Sequence, residues 1–433
     1  MRKILAFSLL ILFLSSQAQT SVKDWQLPSA SPASMGVSVE RLSQIDRVLQ
    51  EYVDKQWISG ATALVMKDGK IIYHKSIGYN DLETKTPLAK DAIYRIASQT
   101  KAITSVGVMM LYEQGKLLLD DPVSKYIPEF KNPKVLDKYN EGDTTYTTIP
   151  AKKEISIREL LTHTSGIGYA QIGNPKMNAI YAKAGVVGGI GVADTMVLGN
   201  KIKILAGLPL FHQPGEQWTY GLNTDVLGYL IEVVSGMSLD QFFRTRIFEP
   251  LGMKDTYFYL PSSKRARLVT LYTESKDSDK KLQKAPAVYK LNGNFYTDYP
   301  AHNGSYYSGG VGLSSTAYDY ALFMQMLLNG GSLNGKRILS KAAIRMMTSN
   351  QIGQISFHSG NYFGLGFEVV SEANSGKSSL SPGSFFWGGM FSSTYWIDPK
   401  EKIVAQLFLN KYPNSQADIH EKFKALVYAA LTE

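Results

Sequence analysis

Apolar residues recur at helical spacing after Ser38. Val39, Leu42, Ile45, Leu49 and Val53 form one stripe, which predicts a helix over 39–55 capped by Ser38. The period then changes. Residues 61–66 and 71–77 are apolar-rich runs flanking a turn with Asp68-Gly69, the pattern of a hairpin. A short strand over 92–96 leads to Ser98. Most positions from 102 to 111 are apolar, which predicts a largely buried helix stopped at Gly115. Asp121-Pro122 reads as N-cap and first residue of a short helical piece. Ser156-Ile157-Arg158-Glu159 reads as a capping box opening another.

Residues 166–215 are glycine-rich and irregular, with helical pieces. Helices are predicted over 224–235, from Ser238 through Phe248, and from a Thr316 cap to Leu328. Residues 262–300 are polar and read as loop. The last section is strand-rich, over 364–371, 392–398 and 403–410, with a closing helix over 416–431. Two strands and a helix open the chain, and three strands and a helix close it. That order implies an α+β fold whose one sheet is built from both termini, with a mainly helical lobe inserted. The sheet lobe is expected over 35–105 and 305–433, and the helical and loop lobe over 106–304. Ser98 sits where the first half of the sheet hands over to the inserted lobe, and a cleft between lobes is a natural place for a site.

Composition bounds the class. The 433 residues are 44% hydrophobic and 19% charged, enough for two lobes around substantial cores. Arg2 and Lys3, the apolar run 4–14 and the small-x-small Ser16-Gln17-Ala18 predict a cleaved secretory leader over 1–18, with a mature chain from 19 to 433. That run is too short to span a membrane, and no later segment reads as a span. There is no cysteine, which excludes a lipoprotein anchor, a disulfide or a Cys-ligated zinc. A soluble protein, periplasmic or secreted from a bacterial cell, is expected. Removing Arg2 and Lys3 from the net +9 leaves 44 basic against 37 acidic residues, a net +7. The densest basic pieces, 264–267 and 276–284, carry no nucleic-acid module and read as solvated surface. The six histidines show no ligand spacing, so neither metal nor cofactor is expected. Residues 330–336 nearly spell a phosphate loop, but Arg337 stands where Ser or Thr is required and a helix precedes it, so a turn is expected.

The candidate chemistry begins at Ser98-Gln99-Thr100-Lys101. On a helical turn, residues three apart meet on one face. A serine hydroxyl needs a base, and a lysine amine in a dry site can be one. Chance alone gives about one or two S-x-x-K matches in such a chain. A second, Ser278-Asp279-Lys280-Lys281, has no apolar helix behind it. Tyr220, on an ordered turn before a helix, is a candidate proton carrier among 26 tyrosines. Trp387-Gly388-Gly389 precedes a predicted strand, where paired glycines allow close backbone approach by a ligand. No G-x-S-x-G elbow occurs.

Taken together, these pieces resemble the serine β-lactamases of class C and their relatives, the D-alanyl-D-alanine carboxypeptidases, D-aminopeptidases and family VIII carboxylesterases. The matching residues are Ser98-Gln99-Thr100-Lys101, Leu160-Leu161-Thr162-His163-Thr164-Ser165-Gly166, Pro214-Gly215 with Tyr220, Gly309-Gly310-Val311-Gly312-Leu313, and Gly364-Leu365-Gly366-Phe367 followed by Trp387-Gly388-Gly389, in the family's order. The resemblance implies an antiparallel sheet flanked by helices, with a helical lobe. It implies Ser98 as nucleophile, Lys101 as its activating partner and Tyr220 as second proton carrier, with the general base either Lys101 or Tyr220. It places the oxyanion between the backbone N–H groups of Ser98 and Met390, and substrate against Trp387, Gly388 and Gly389. His163 is expected to make a structural hydrogen bond.

Two departures shape the expected substrate. The β-lactamases carry Y-x-N where this chain has Leu222, with Asn223 one residue late. They also carry K-T-G where this chain has Trp387, an apolar wall in place of a cation. His358-Ser359-Gly360 imitates an H-x-G variant but lies on the wrong side of the 364–367 motif. The expectation is an acyl-enzyme hydrolase acting on a neutral small-molecule or peptide acyl substrate, most simply an ester. The alternatives are a D-amino-acid peptidase or weak β-lactamase, and a catalytically silent penicillin-binding or sensor protein.

Overall fold

Helix α1 (Val39–Asp54) starts where Ser38 accepts a hydrogen bond from the Arg41 N–H. Leu42, Ile45, Leu49 and Val53 are buried as the stripe predicts. Val39, in the first turn, is 56% exposed, and Val48 and Tyr52 complete the buried face instead. The computed structural model describes residues 26–186, 188–192, 195–290, 293–357 and 360–432. The expected leader over 1–18 lies outside the described residues, as do His358 and Ser359.

Strands β1 (Gly60–Lys67) and β2 (Lys70–Asp81) form the expected hairpin. Asp68 and Gly69 both have positive φ, as its tight turn requires. A short β3 (Thr86–Pro87) follows, and β4 (Tyr94–Arg95) leaves the sheet to pair with Ser314–Ser315. Helix α2 (Thr100–Glu113) is buried along most of its length. The capping box at Ser156 and Glu159 is complete and opens α3 (Ile157–Leu161). Asp121-Pro122 opens only a 3₁₀ turn, Val123–Lys125, because the Asp121 carboxylate is taken by the Leu118 N–H and the Tyr126 hydroxyl. Helix α4 (Asn223–Ser235) packs across α2.

Residues 262–300 contain more structure than their polar composition predicts. They hold small ribbons, including β5 (Val288–Lys290) with β6 (Asn294–Tyr296). Such ribbons bury little apolar surface, so no alternation marks them. Then come β7 (Ser314–Ser315) and α5 (Ala317–Leu328). The look-alike phosphate loop is the turn from α5 into the small hairpin Ser332–Leu333 with Lys336–Arg337.

The expected strand over 364–371 is instead two short strands, β8 (Tyr362–Phe363) and β9 (Glu368–Val369). Leu365 and Phe367 between them are buried in the core, so the apolar run marks packing rather than one continuous strand. Strand β10 (Phe385–Gly389) lies before the expected strand over 392–398, and its two glycines, poor strand formers, hide it in the sequence. Strands β11 (Ser393–Asp398) and β12 (Ile403–Phe408) and helix α6 (Ile419–Ala429) end the chain.

The eight-stranded sheet runs β8-β9-β10-β11-β12-β1-β2-β3, every pairing antiparallel. The two ends of the chain meet at β12 and β1, where Thr62 lies opposite Phe408. One face carries Ala63, Val65, Trp396 and Leu407 against α1 and α6, and the other carries Leu64, Met66, Tyr395 and Phe408 toward α2 and α5. Both faces are covered, so β1 reads as a continuous apolar run rather than an alternating one. Among the described residues no single helix is long and apolar enough to cross a membrane.

Trp396 is the anchor of the layer under the sheet, with its ring 5.4 Å from that of Phe423 on α6. Trp396→Ala is expected to cost about 3–5 kcal/mol in urea denaturation. A loss under about 1 kcal/mol would mean that α6 does not pack on this face as described.

Candidate active site

The chain leaves β4 and makes a tight 3₁₀ turn, Ala97–Gln99, before α2 begins at Thr100. Ala97 has φ of 45°, a left-handed conformation that costs a non-glycine residue about 1–2 kcal/mol. Ser98 therefore sits on the turn rather than inside the helix, and its side chain reaches the cavity at the lobe junction. Lys101, on the first turn of α2, is 2% exposed.

The Lys101 ammonium has three protons and three oxygen acceptors. Nζ donates to Ser98 Oγ at 3.3 Å, to Tyr169 Oη at 3.0 Å and to the Gly310 carbonyl at 2.9 Å. The Tyr220 and Tyr169 rings lie beside it, with centroids 4.7 and 5.7 Å from Nζ. The Gly310 loop is fixed to α2, since Thr104 Oγ1 donates to the Gly309 carbonyl at 2.6 Å and the Leu313 N–H to Thr100 Oγ1 at 3.1 Å. Gly310 must lack a side chain, because a Cβ there would overlap the buried Asp225 carboxylate. Burial pushes the Asp225 pKa up, while the Ser308 hydroxyl and the Lys101 charge pull it back.

Tyr220 Oη donates to Ser98 Oγ at 2.8 Å. The indole N–H of Trp387 donates to Tyr220 Oη at 3.3 Å, so this tryptophan is a hydrogen-bond donor as well as a wall. The Tyr220 ring is packed by His163, Tyr169, Trp218 and Trp387, with centroids between 5.0 and 6.0 Å away. Ser98 Oγ thus accepts from both Tyr220 and Lys101. Loss of a proton from either leaves a base within reach of the serine proton.

Met390 and Ser98 line the same cavity, and Gly389 explains their proximity. A Cβ on Gly389 would overlap the Ile96 carbonyl and lie 2.5 Å from Ser393 Oγ. The bare end of β10 packs on the turn that carries Ser98. The glycine makes room for the protein's own main chain, where the sequence had suggested room for a ligand's.

Tyr169 is the residue the sequence did not reveal. It follows the 160–166 motif without any pattern of its own, and only the fold brings it to Lys101. Burial, with Tyr220 and Asp225 nearby, pushes its pKa well above the usual tyrosine range. His163 is structural in the expected sense. Its Nδ1 accepts from Asn223 Nδ2 at 2.8 Å, while Ser165 Oγ donates to the Asn223 carbonyl oxygen. Burial, then the Lys101 charge, holds the His163 pKa well below its usual value. Leu222 is buried in the core and Asn223 is committed to this loop, so neither lines the cavity. The cavity encloses about 860 Å³, lined mainly by apolar and aromatic side chains, and holds Ser98, Tyr169, Tyr220, Trp387, Gly388, Gly389 and Met390 together.

A family model described as Beta-lactamase matches residues 45–429. Esterase EstB of Burkholderia gladioli is 28% identical over 93% of this chain and 99% of its own length. A putative D-alanyl-D-alanine carboxypeptidase of Escherichia coli K12 is also 28% identical, over 90% of this chain and 87% of its own. The solved structure of EstCE1, titled a hydrolase with promiscuous acyltransferase activity, superposes with a TM-score of 0.76. It is 25% identical over 90% of this chain and 99% of that one.

Two outcomes follow from this geometry. Gly389→Ala is expected to lower turnover at least about a hundredfold by pushing β10 off the Ser98 turn, an effect of the size of a lost oxyanion donor. Wild-type kinetics in that variant would place the oxyanion elsewhere. His163 stays neutral in the folded state, so below about pH 6.5 the unfolded chain gains a proton there that the folded chain refuses, and stability falls as pH falls. In urea denaturation at pH 7 and pH 5, His163→Gln is expected to lose less stability between the two than wild type. An equal loss would mean that His163 is not held neutral.

Proposed function

The chain belongs to the Beta-lactamase family and is a serine hydrolase of it, and from that premise we propose an exported esterase that forms an acyl-enzyme on Ser98. The observation that carries this reading is the pair of hydrogen bonds at Ser98 Oγ, 2.8 Å from Tyr220 and 3.3 Å from Lys101. Ser98 Oγ attacks the acyl carbon while its proton passes to the deprotonated member of the Tyr220 and Lys101 pair. Both groups lie within hydrogen-bond reach of Ser98 Oγ, so either can take its proton. The carbonyl oxygen becomes an oxyanion between the N–H groups of Ser98 and Met390. Tyr220 returns a proton to the departing alcohol, and water then repeats the sequence on the acyl-enzyme.

Trp387 supports a neutral substrate. Where a lysine would attract a carboxylate, an indole presents an apolar face and spends its N–H on Tyr220. The likeness to Esterase EstB over nearly its whole length supports the same substrate class. Export rests on Arg2, Lys3, the apolar run 4–14 and Ser16-Gln17-Ala18.

Purified protein assayed in parallel is expected to hydrolyse short-chain nitrophenyl esters faster than a chromogenic cephalosporin or a D-Ala-D-Ala peptide. Ser98→Ala and Lys101→Met should each lose at least about a thousandfold of the ester turnover. Cephalosporin or peptide turnover above that of the esters would contradict the esterase reading. Inertness toward all three would favour a silent binding protein. A full-length chain retained in the cytosolic fraction would contradict export.

A further inference from the structure

Residues 270–290 and 293–296 form a flap whose tip, 293–296, lines one part of the cavity, and one side chain spans its neck. Arg95 lies on β4, three residues before Ser98, and is 3% exposed. Its Nε donates to the Thr297 carbonyl at 2.8 Å and its Nη1 to the Val269 carbonyl at 2.7 Å. Those carbonyls sit at the two ends of the flap. The planar guanidinium fork holds both at once, a geometry that a flexible ammonium does not preorganise. Burying such a charge is costly without full hydrogen bonding, and here it is spent on main-chain carbonyls of the neck.

The flap has a small core of its own, and that core rests on the nucleophile turn. Phe295 on β6 stacks on Phe391 with centroids 5.8 Å apart and planes 22° from parallel. The same cluster takes in Leu271 and Ala97. Ala97 precedes Ser98 and Phe391 follows Met390, so the flap packs on both sides of the oxyanion edge. The Tyr296 N–H donates to the Gly191 carbonyl at 2.9 Å. A buried ion pair between Glu274 and Lys411, at 2.7 Å, ties the flap's entry to the segment after β12. From this platform Asn294, Phe295 and Tyr296 line the cavity beside Ile190 and Met390.

We propose that this flap is the acyl-selecting wall of the site, seating an apolar chain of medium length against Ile190, Tyr296 and Met390, with Arg95 as the positioning residue that keeps the wall in register with Ser98. The proposal deepens the esterase reading and rests on it. The direction of the acyl chain follows from proton transfer. Tyr220 must reach the leaving oxygen, so the alcohol lies toward Tyr220 and Trp387, and the flap end is left for the acyl group.

The test compares ethyl and octyl fluorophosphonates, which differ only in chain length. Each forms a bond from Ser98 Oγ to phosphorus as the phosphorus–fluorine bond breaks. Fluoride departs, and the serine proton passes through the Tyr220 and Lys101 pair to solvent. Labelling rates are read by mass spectrometry of the intact protein and of its Ser98 peptide. Wild type is expected to take the octyl probe at least about tenfold faster, since each buried methylene favours it. Tyr296→Ala should reduce that ratio at least about fivefold. Arg95→Met should reduce it similarly without touching the probe, and Arg95→Lys, which keeps the charge but not the fork, should not restore it. Labelling of Ser98 with no chain preference in wild type overturns the wall and leaves the esterase reading standing. Equal slowing of both probes in the Arg95 variants, with the ratio kept, reduces Arg95 to a structural role and overturns its part. No labelling of Ser98 by either probe overturns the nucleophile and the wall together. Should Arg95→Met fail to fold, Tyr296→Ala decides the wall and Arg95→Lys the clamp.

Discussion

Lys101 carries an ammonium group into an interior where the side chain is 2% exposed. An unsatisfied charge there would cost several kcal/mol, so each of its three protons needs an acceptor. The acceptors come from distant parts of the chain: Ser98 one helical turn back, Tyr169 in the loop after α3, and the Gly310 carbonyl before β7. This single group fixes where three segments meet. The capping box on α3, the Thr104 bond to Gly309 and the Asn223 bond to His163 each hold one approach to it.

The sheet supplies the other half of the site. Its terminal strands join at β12 and β1, and β10 reaches the Ser98 turn two strands away from that seam. Contact is possible because Gly389 presents no Cβ to the Ile96 carbonyl. Ala97 accepts a left-handed conformation at the same point, and its methyl group is buried in the cluster under Phe295 and Phe391. Backbone strain at the nucleophile is thus surrounded by packing that over-determines it. Trp387 closes the arrangement from above by holding the Tyr220 oxygen.

What could be read in the sequence follows the range of the interactions. The stripe of α1, the Asp68-Gly69 hairpin and the Ser156 capping box are local, and the chain spells them within a few residues. The Ser98 and Lys101 contact is nearly so, since three residues on a turn bring the groups to 3.3 Å. Strand β10 was hidden because glycine speaks against a strand, while here its lack of a side chain is what the neighbouring turn requires. Tyr169 could not be singled out among 26 tyrosines, because its position beside Lys101 exists only after α3 and α2 have packed. The flap reads as loop in the sequence for a related reason. Its order comes from Arg95, Phe391 and Lys411, all far away in sequence.

On the proposed function, the Ser98 turn, Lys101 and the end of β10 form one acyl-transfer site. A crystal structure of the protein after reaction with a dialkyl phosphate inhibitor tests it most directly. Phosphorus is expected on Ser98 Oγ and the phosphoryl oxygen between the Ser98 and Met390 N–H groups, at about 2.7–3.1 Å from each. Lys101 should still be bonded to Tyr169 and the Gly310 carbonyl. A label on another residue, or a phosphoryl oxygen turned away from Met390, would contradict it.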